Sequence, residues 1–206
     1  MASDRSRLCV GVLALQGDFA EHEAAFGRLG FATRRIRTAA QLHGCDALVL
    51  PGGESTTMLR LLTVEGLWGP LEATLRSGLP VFATCAGMVL LAEEVENPRQ
   101  PSYGLLPITV VRNGYGRQVH SGSCALESDE LPPGTTGTFI RAPRITAVRG
   151  ADVVARRDGD PVLVRKGPIM AACFHPELQR DHPVLAMFAA MVDAHAGDAR
   201  LAEAAS

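Results

Sequence analysis

The stretch LPVFATCAGMVLLAEE, residues 79–94, decides how the chain is read. Its first six residues suit a buried strand, and a helical pattern over residues 86–95 begins directly after Cys85. A cysteine at such a corner faces the unpaired N–H groups and positive end of the helix, which favour the thiolate. Ala83 and Gly87 stand two residues away on either side, and small residues there let a sharp elbow pack against its neighbours. A structural cysteine can sit anywhere in a core; this one has the placement of a nucleophile.

Outward from this stretch, short apolar runs alternate with helical patterns through the first half of the chain. RLCVGVLAL (7–15), FATRRIR (31–37), DALVLPGG (46–53) and LPVFAT (79–84) read as strands. DFAEHEAAFGRLG (18–30), ESTTMLRLLTVEG (54–66) and WGPLEATLRSG (68–78) read as helices, each closed by a glycine. Strand–helix alternation of this kind implies a parallel sheet with right-handed crossovers. After Pro98 the pattern turns to short strand-like runs between Gly, Pro and Asp turns, including a hairpin at RDGDPVLVRKG (157–167). HPVLAMFAAMVDAHAG (182–197) is a closing amphipathic helix. The expectation is one α/β domain over 1–206, with a mostly parallel central sheet flanked by helices, a β-rich second half, and flexible tails at 1–7 and 197–206.

Composition narrows the function classes. A chain of 206 residues suits one domain with a sizeable core. A net charge of −2 offers no bulk attraction to nucleic acid or to an anionic membrane. The first seven residues are polar and the apolar run after them is too short to span a bilayer, so a cytoplasmic protein is expected. Five cysteines, an odd number without CxxC or Cys/His ligand spacing, argue against a disulfide framework and structural zinc.

In an open parallel sheet, functional groups gather at the carboxyl ends of the strands. LQGDF (15–19), PGGEST (51–56), TCAGM (84–88) and FHPEL (174–178) are expected on that edge. His175 is suited to accept and return a proton near neutral pH, and Glu177, two residues on in an extended segment, can orient it. Gly52 and Gly53 allow close backbone approach, and the N–H groups of Gly53 and Ala86 suit an oxyanion hole. PGGEST also reads as a plain turn in which Ser55 or Thr56 caps the next helix. Glycine's free φ further allows a flip of the Gly52–Gly53 peptide.

Taken in order, PGGEST, TCAGM and FHPEL resemble the class I, triad-type glutamine amidotransferases, which have a flavodoxin-like fold. With GVLALQGDFAEH, NGYGRQV and FIRAP added, the chain resembles the branch formed by the glutaminase subunits of pyridoxal 5′-phosphate synthase. The resemblance implies a glutaminase with Cys85 as nucleophile, His175 as acid–base and Glu177 as orienting carboxylate. It implies L-glutamine as substrate, with Gly53, Glu54, Ser55, Arg117, Ile140 and Arg141 as binding residues and Gln16 at the mouth. It implies no metal and no coenzyme, and a synthase partner in a hetero-oligomeric complex that receives the ammonia and stimulates the glutaminase.

The chain departs from that pattern at Ala83, where glycine is usual, at HSGSC (120–124), and at Arg144 in place of a histidine. Other readings are a subunit feeding a different synthase, a noncatalytic synthase-binding subunit, and a stand-alone thiol hydrolase or chaperone-like relative. FIRAP and GYGRQV speak against the first, the intact Cys85, His175 and Glu177 against the second, and the late His-x-Glu pair against the third.

Overall fold

The structure is a computed structural model that describes residues 4–115 and 122–204. Strands β1 (Cys9–Leu13), β2 (Ala32–Ile36), β3 (Ala47–Leu50) and β4 (Val81–Thr84) alternate with helices α1 (Phe19–Arg28), α2 (Ser55–Val64) and α3 (Trp68–Leu75). After β4 come α4 (Ala86–Leu91), β5 (Ala92–Glu96), β6 (Leu106–Val111), β7 (Gly122–Ala125), β8 (Thr136–Phe139) and β9 (Arg144–Val148). β10 (Asp152–Arg157), β11 (Asp160–Lys166), β12 (Ile169–Ala172) and α5 (Pro183–Ala204) complete the chain.

The main sheet has the order β10-β11-β12-β4-β3-β1-β2. The strands from β12 to β2 run parallel, and β10 and β11 extend one edge antiparallel. Burial explains the sequence patterns. β3, β4 and β12 are buried at every position, as strands covered on both faces must be. β2 is the edge, and its Arg34 and Arg35 are exposed there, where charge discourages further pairing. The expected hairpin is β10–β11, and its turn residues Asp158 and Gly159 both take positive φ, as a two-residue hairpin turn of the primed type requires. The β-rich half also forms a three-stranded sheet, β5-β6-β9, and a ribbon, β7-β8.

Three expectations are corrected. The helix after Cys85 stops at Leu91 instead of running to Val95, and residues 92–96 are strand β5, parallel to β6. Ala92-Glu93-Glu94 carries good helix propensity, yet pairing with β6 satisfies the backbone of both strands, and this tertiary demand outweighs local preference. The final helix does not give way at Gly197 but continues as α5 to Ala204. FHPEL is not extended throughout, because Pro176–Leu178 form a 3-10 turn with proline at its first position, where its fixed φ fits. Near the N-terminus, Arg5 is tied to Asp193 of α5 by a 2.7 Å ion pair.

α4 is buried all round, and its first turn lies directly on β3. A methyl group at Gly87 would sit 2.0 Å from the Leu50 carbonyl oxygen, a backbone atom that cannot swing aside. Gly87→Ala is therefore expected to destabilise the fold by more than about 2 kcal/mol, measured by urea unfolding. A loss below a few tenths would mean that α4 does not rest on β3 in this way.

Candidate active site

β12, β4, β3 and β1 are consecutive neighbours and parallel, so the segments after them leave the same edge of the sheet. They meet around a pocket of about 350 Å³. Gln16, Gly17 and Asp18 come from the end of β1, Gly53, Glu54 and Ser55 from β3, Cys85 and Ala86 from β4, and His175 from β12. The second half of the chain adds Arg112, Asn113, Ile140, Arg141 and Pro143.

Cys85 is the N-cap of α4 and has φ 46° and ψ −105°, a conformation that side chains rarely adopt. Its N–H donates to the Ala172 carbonyl at 2.8 Å, and its own carbonyl accepts from the Val89 N–H at 3.2 Å. These contacts pin the elbow from both sides. Cys85 and His175 line the same pocket. The His175 backbone N–H donates to the Thr138 carbonyl at 2.8 Å, so β8 holds the imidazole's loop. His175 Nδ1 lies 2.8 Å from Glu177 Oε1 and 3.4 Å from Asp18 Oδ2. Nε2 is therefore the ring nitrogen left for the thiol.

Burial pushes the His175 imidazole down, but the neighbouring Cys85 sulfur and the hydrogen-bonded Glu177 carboxylate outweigh it and raise it to about 10. Burial pushes the Glu177 carboxyl up, but the nearby charge of His22 and hydrogen bonds from His175 and His22 outweigh it and lower it to about 2. Proximity of opposite charge wins over desolvation in both groups. Asp18, His175 and Glu177 have the ligand types of a metal site, with all three donor atoms within 4.8 Å. The same imidazole nitrogen faces both carboxylates, which makes this an imidazole oriented by acids.

Gly52 packs against the His175 ring so closely that a methyl group there would lie 2.3 Å from Cε1. The Gly52 carbonyl accepts from the Asp18 N–H at 3.1 Å, which fixes the plane of the Gly52–Gly53 peptide. Neither Ser55 nor Thr56 caps α2. Glu54 is its N-cap, because a carboxylate reaches both free N–H groups at once, accepting from Thr57 N at 2.7 Å and Thr56 N at 3.3 Å. Glu54 Oε1 also accepts from Arg112 at 2.9 Å. Ser55 is buried and its hydroxyl donates to Gln100 Oε1 at 2.9 Å.

Of the residues expected at the site, Gly53, Glu54, Ser55, Cys85, Ala86, Ile140, Arg141 and His175 line the pocket, with Glu177 buried behind His175. Arg117 lies outside the described residues. Asp18, Arg112 and Asn113 also line the pocket, and sequence reading did not single them out. Arg112 closes the apolar run of β6, and the sequence signal for it was a lone cation at a strand end.

The model of the SNO glutamine amidotransferase family matches residues 12–194. The chain belongs to the SNO glutamine amidotransferase family. Among curated members, the pyridoxal 5′-phosphate synthase subunit PdxT of Thermotoga neapolitana is 44% identical over 185 residues, covering 89% of this chain and 98% of that protein. The PdxT of a Parafrankia species is 47% identical over 192 residues, covering 91% and 95%. A crystal structure described as a glutamine amidotransferase matches with a TM-score of 0.83 at 42% identity, over 89% of this chain and 98% of that one. The structure of PurLQS from Thermotoga maritima matches at TM-score 0.61 and 19% identity, over 83% of this chain and 88% of that one, which shows the shared fold.

The charge pattern of the SNO-family site sets its pH response. A histidine raised from 6.5 to about 10 contributes stability that is complete below pH 6.5 and lost as the pH rises towards 10. A carboxyl lowered from 4.5 to about 2 contributes stability present above pH 4.5 and lost as the pH falls towards 2. The melting temperature of the wild type should therefore exceed that of His175→Gln most between these limits, and the gap should close on the alkaline side. A gap that widens as the pH rises from 6.5 towards 10 would contradict the pairing.

Proposed function

We propose that this chain is the glutaminase subunit of a pyridoxal 5′-phosphate synthase, releasing ammonia from L-glutamine for a partner synthase subunit. The observation that carries the reading is Cys85 at a strained elbow beside the buried His175–Glu177 pair, in a chain of the SNO family.

In the proposed reaction the Cys85 thiol proton passes to His175 Nε2 as the sulfur attacks the side-chain amide carbon of glutamine, and the carbonyl electrons move onto oxygen. The N–H groups of Gly53 and Ala86 are assigned to that oxyanion. Collapse of the tetrahedral intermediate breaks the C–N bond, and His175 delivers a proton to the leaving nitrogen, giving ammonia and a γ-glutamyl thioester. His175 then takes a proton from water, whose oxygen attacks the thioester carbon. Collapse of this second tetrahedral intermediate breaks the C–S bond, glutamate leaves, and His175 returns its proton to the Cys85 sulfur. Glu177 keeps the His175 hydrogen on Nδ1, so that Nε2 carries the moving proton.

Arg141 and Arg112 line the pocket, and their guanidinium groups are assigned, with that of Arg117, to the substrate's α-carboxylate. Ser55 and Ile140 are assigned to the glutamine side. Glu54 has both carboxylate oxygens engaged by the α2 cap and Arg112, so its proposed part in binding is to hold Arg112 and the Gly53 turn. The route uses no metal and no coenzyme. The five cysteines are free thiols, which supports a reducing compartment, and we place the reaction in the cytoplasm. Among the described residues no helix is long and apolar enough to cross a membrane.

Two outcomes test this reading. Cys85→Ala should lower glutamate release by at least about a thousandfold while co-purification with the synthase subunit persists. Retained turnover would remove Cys85 from the chemistry. Wild-type turnover should rise when the synthase subunit is added, and coenzyme should form from glutamine only with both chains present; turnover indifferent to the synthase would separate this chain from such a complex.

A further inference from the structure

Glu177 orients His175, and something must in turn orient Glu177. Its carboxylate is buried, and Oε2 has no hydrogen-bond partner among the described residues. Orientation therefore rests on Oε1. That atom faces His175 Nδ1 at 2.8 Å and the Nε2 of His22 at 3.3 Å. Were His175 the sole restraint, the carboxylate would be held only by the ring it is meant to hold.

His22 is built for that task. It lies on α1 with no exposure to solvent. Its ring stacks on Phe26 at 6.5 Å and 12° and meets Phe82 edge-on at 6.1 Å and 76°. Two aromatic walls leave the imidazole one orientation. Nε2 also lies 3.0 Å from the hydroxyl oxygen of Thr84, the residue before the nucleophile. Thr84 is the hydrogen-bond partner of that nitrogen and Glu177 Oε1 its charged neighbour at 3.3 Å; a carboxylate only accepts, so His22 carries a hydrogen on Nε2. Nδ1 has no partner among the described residues, so the contacts of the ring to other polar groups run through Nε2. His22 thus joins the strand that carries Cys85 to the turn that carries the acid–base pair.

We propose that His22 is a positioning residue for glutamine hydrolysis, its Nε2–H holding the Glu177 carboxylate in register with His175. The proposal deepens the glutaminase reading and rests on it. It separates His22 from the many buried histidines that only fill a core, because the effect must pass through Glu177.

The test is steady-state glutaminase kinetics with the synthase subunit present. His22→Phe keeps the ring volume and removes the donor. kcat should fall about ten- to a hundredfold, as expected for one lost hydrogen bond to a charged group, with KM for glutamine within about threefold. His22→Gln returns an N–H at the reach of Nε2 and should recover to within about fivefold of wild type. His22→Asn is equally polar but one methylene shorter, and should stay as impaired as His22→Phe; this pair decides the matter even if the phenylalanine variant fails to fold. Adding His22→Phe to Glu177→Ala should cost less than about threefold more, because the pathway is already cut. Equal activities of the Gln and Asn variants, a change confined to KM, or a full additional loss in the Glu177→Ala background would each overturn the role. A wild type that does not turn over glutamine would overturn the proposed function and this role with it.

Discussion

The backbone of Cys85 is the constraint on which the rest of the structure depends. A residue with a β-carbon at φ 46° and ψ −105° is sterically disfavoured, by roughly 1–3 kcal/mol, and persists only where its surroundings dictate it. Here they do. The Cys85 N–H is taken by Ala172 of β12, its carbonyl starts α4, and Gly87 lets that helix press onto the Leu50 carbonyl of β3. Two of these contacts come from different strands of the main sheet, β12 and β3, and the third from α4 itself. The elbow is thus a product of the strand order β12-β4-β3 rather than of its local sequence alone.

The same strand order explains the electrostatics. Parallel neighbours deliver their following loops to one edge, so His175 after β12 is set beside Cys85 after β4 without any long excursion of chain. Burying an acid there is costly unless it is paired. Glu177 meets the cost with two imidazoles, one from its own turn and one from α1. The pairing explains why a group so deeply buried stays ionised and why the neighbouring imidazole is raised. Asp18, partly exposed at the rim, adds a second negative charge to the same ring nitrogen.

The Glu54 side of the pocket follows from helix geometry. The first turn of α2 offers free N–H groups, and Glu54 occupies them with its own carboxylate. The hydroxyl residues expected to cap this helix are displaced by an acid that also holds Arg112. One side chain therefore ends a turn, starts a helix and places a cation over the pocket.

Much of this was legible in the residues. Continuous apolar runs marked the buried strands, glycines marked the ends of the first helices, and the spacing of PGGEST, TCAGM and FHPEL marked the edge where chemistry collects. Cys85 and the His175–Glu177 pair could be singled out because a cysteine at a strand–helix corner and a His-x-Glu pair are local patterns. The end of α4 was not, because Ala92 to Glu94 favour a helix by propensity and become strand only when β6 arrives to pair with them. Arg112 was not, because nothing near it in sequence says that β6 opens on this pocket; LQGDF was expected on that edge, but Asp18 within it was not singled out. His22 read as one position on a helical face, and only packing reveals that its ring touches a carboxylate 155 residues further on. Sequence by itself determined which residues carry reactive groups and which segments are buried, since both follow from side-chain chemistry and period. Tertiary structure alone decided which of those groups meet, since their contact depends on strand order and on backbone pairing between segments far apart in the chain.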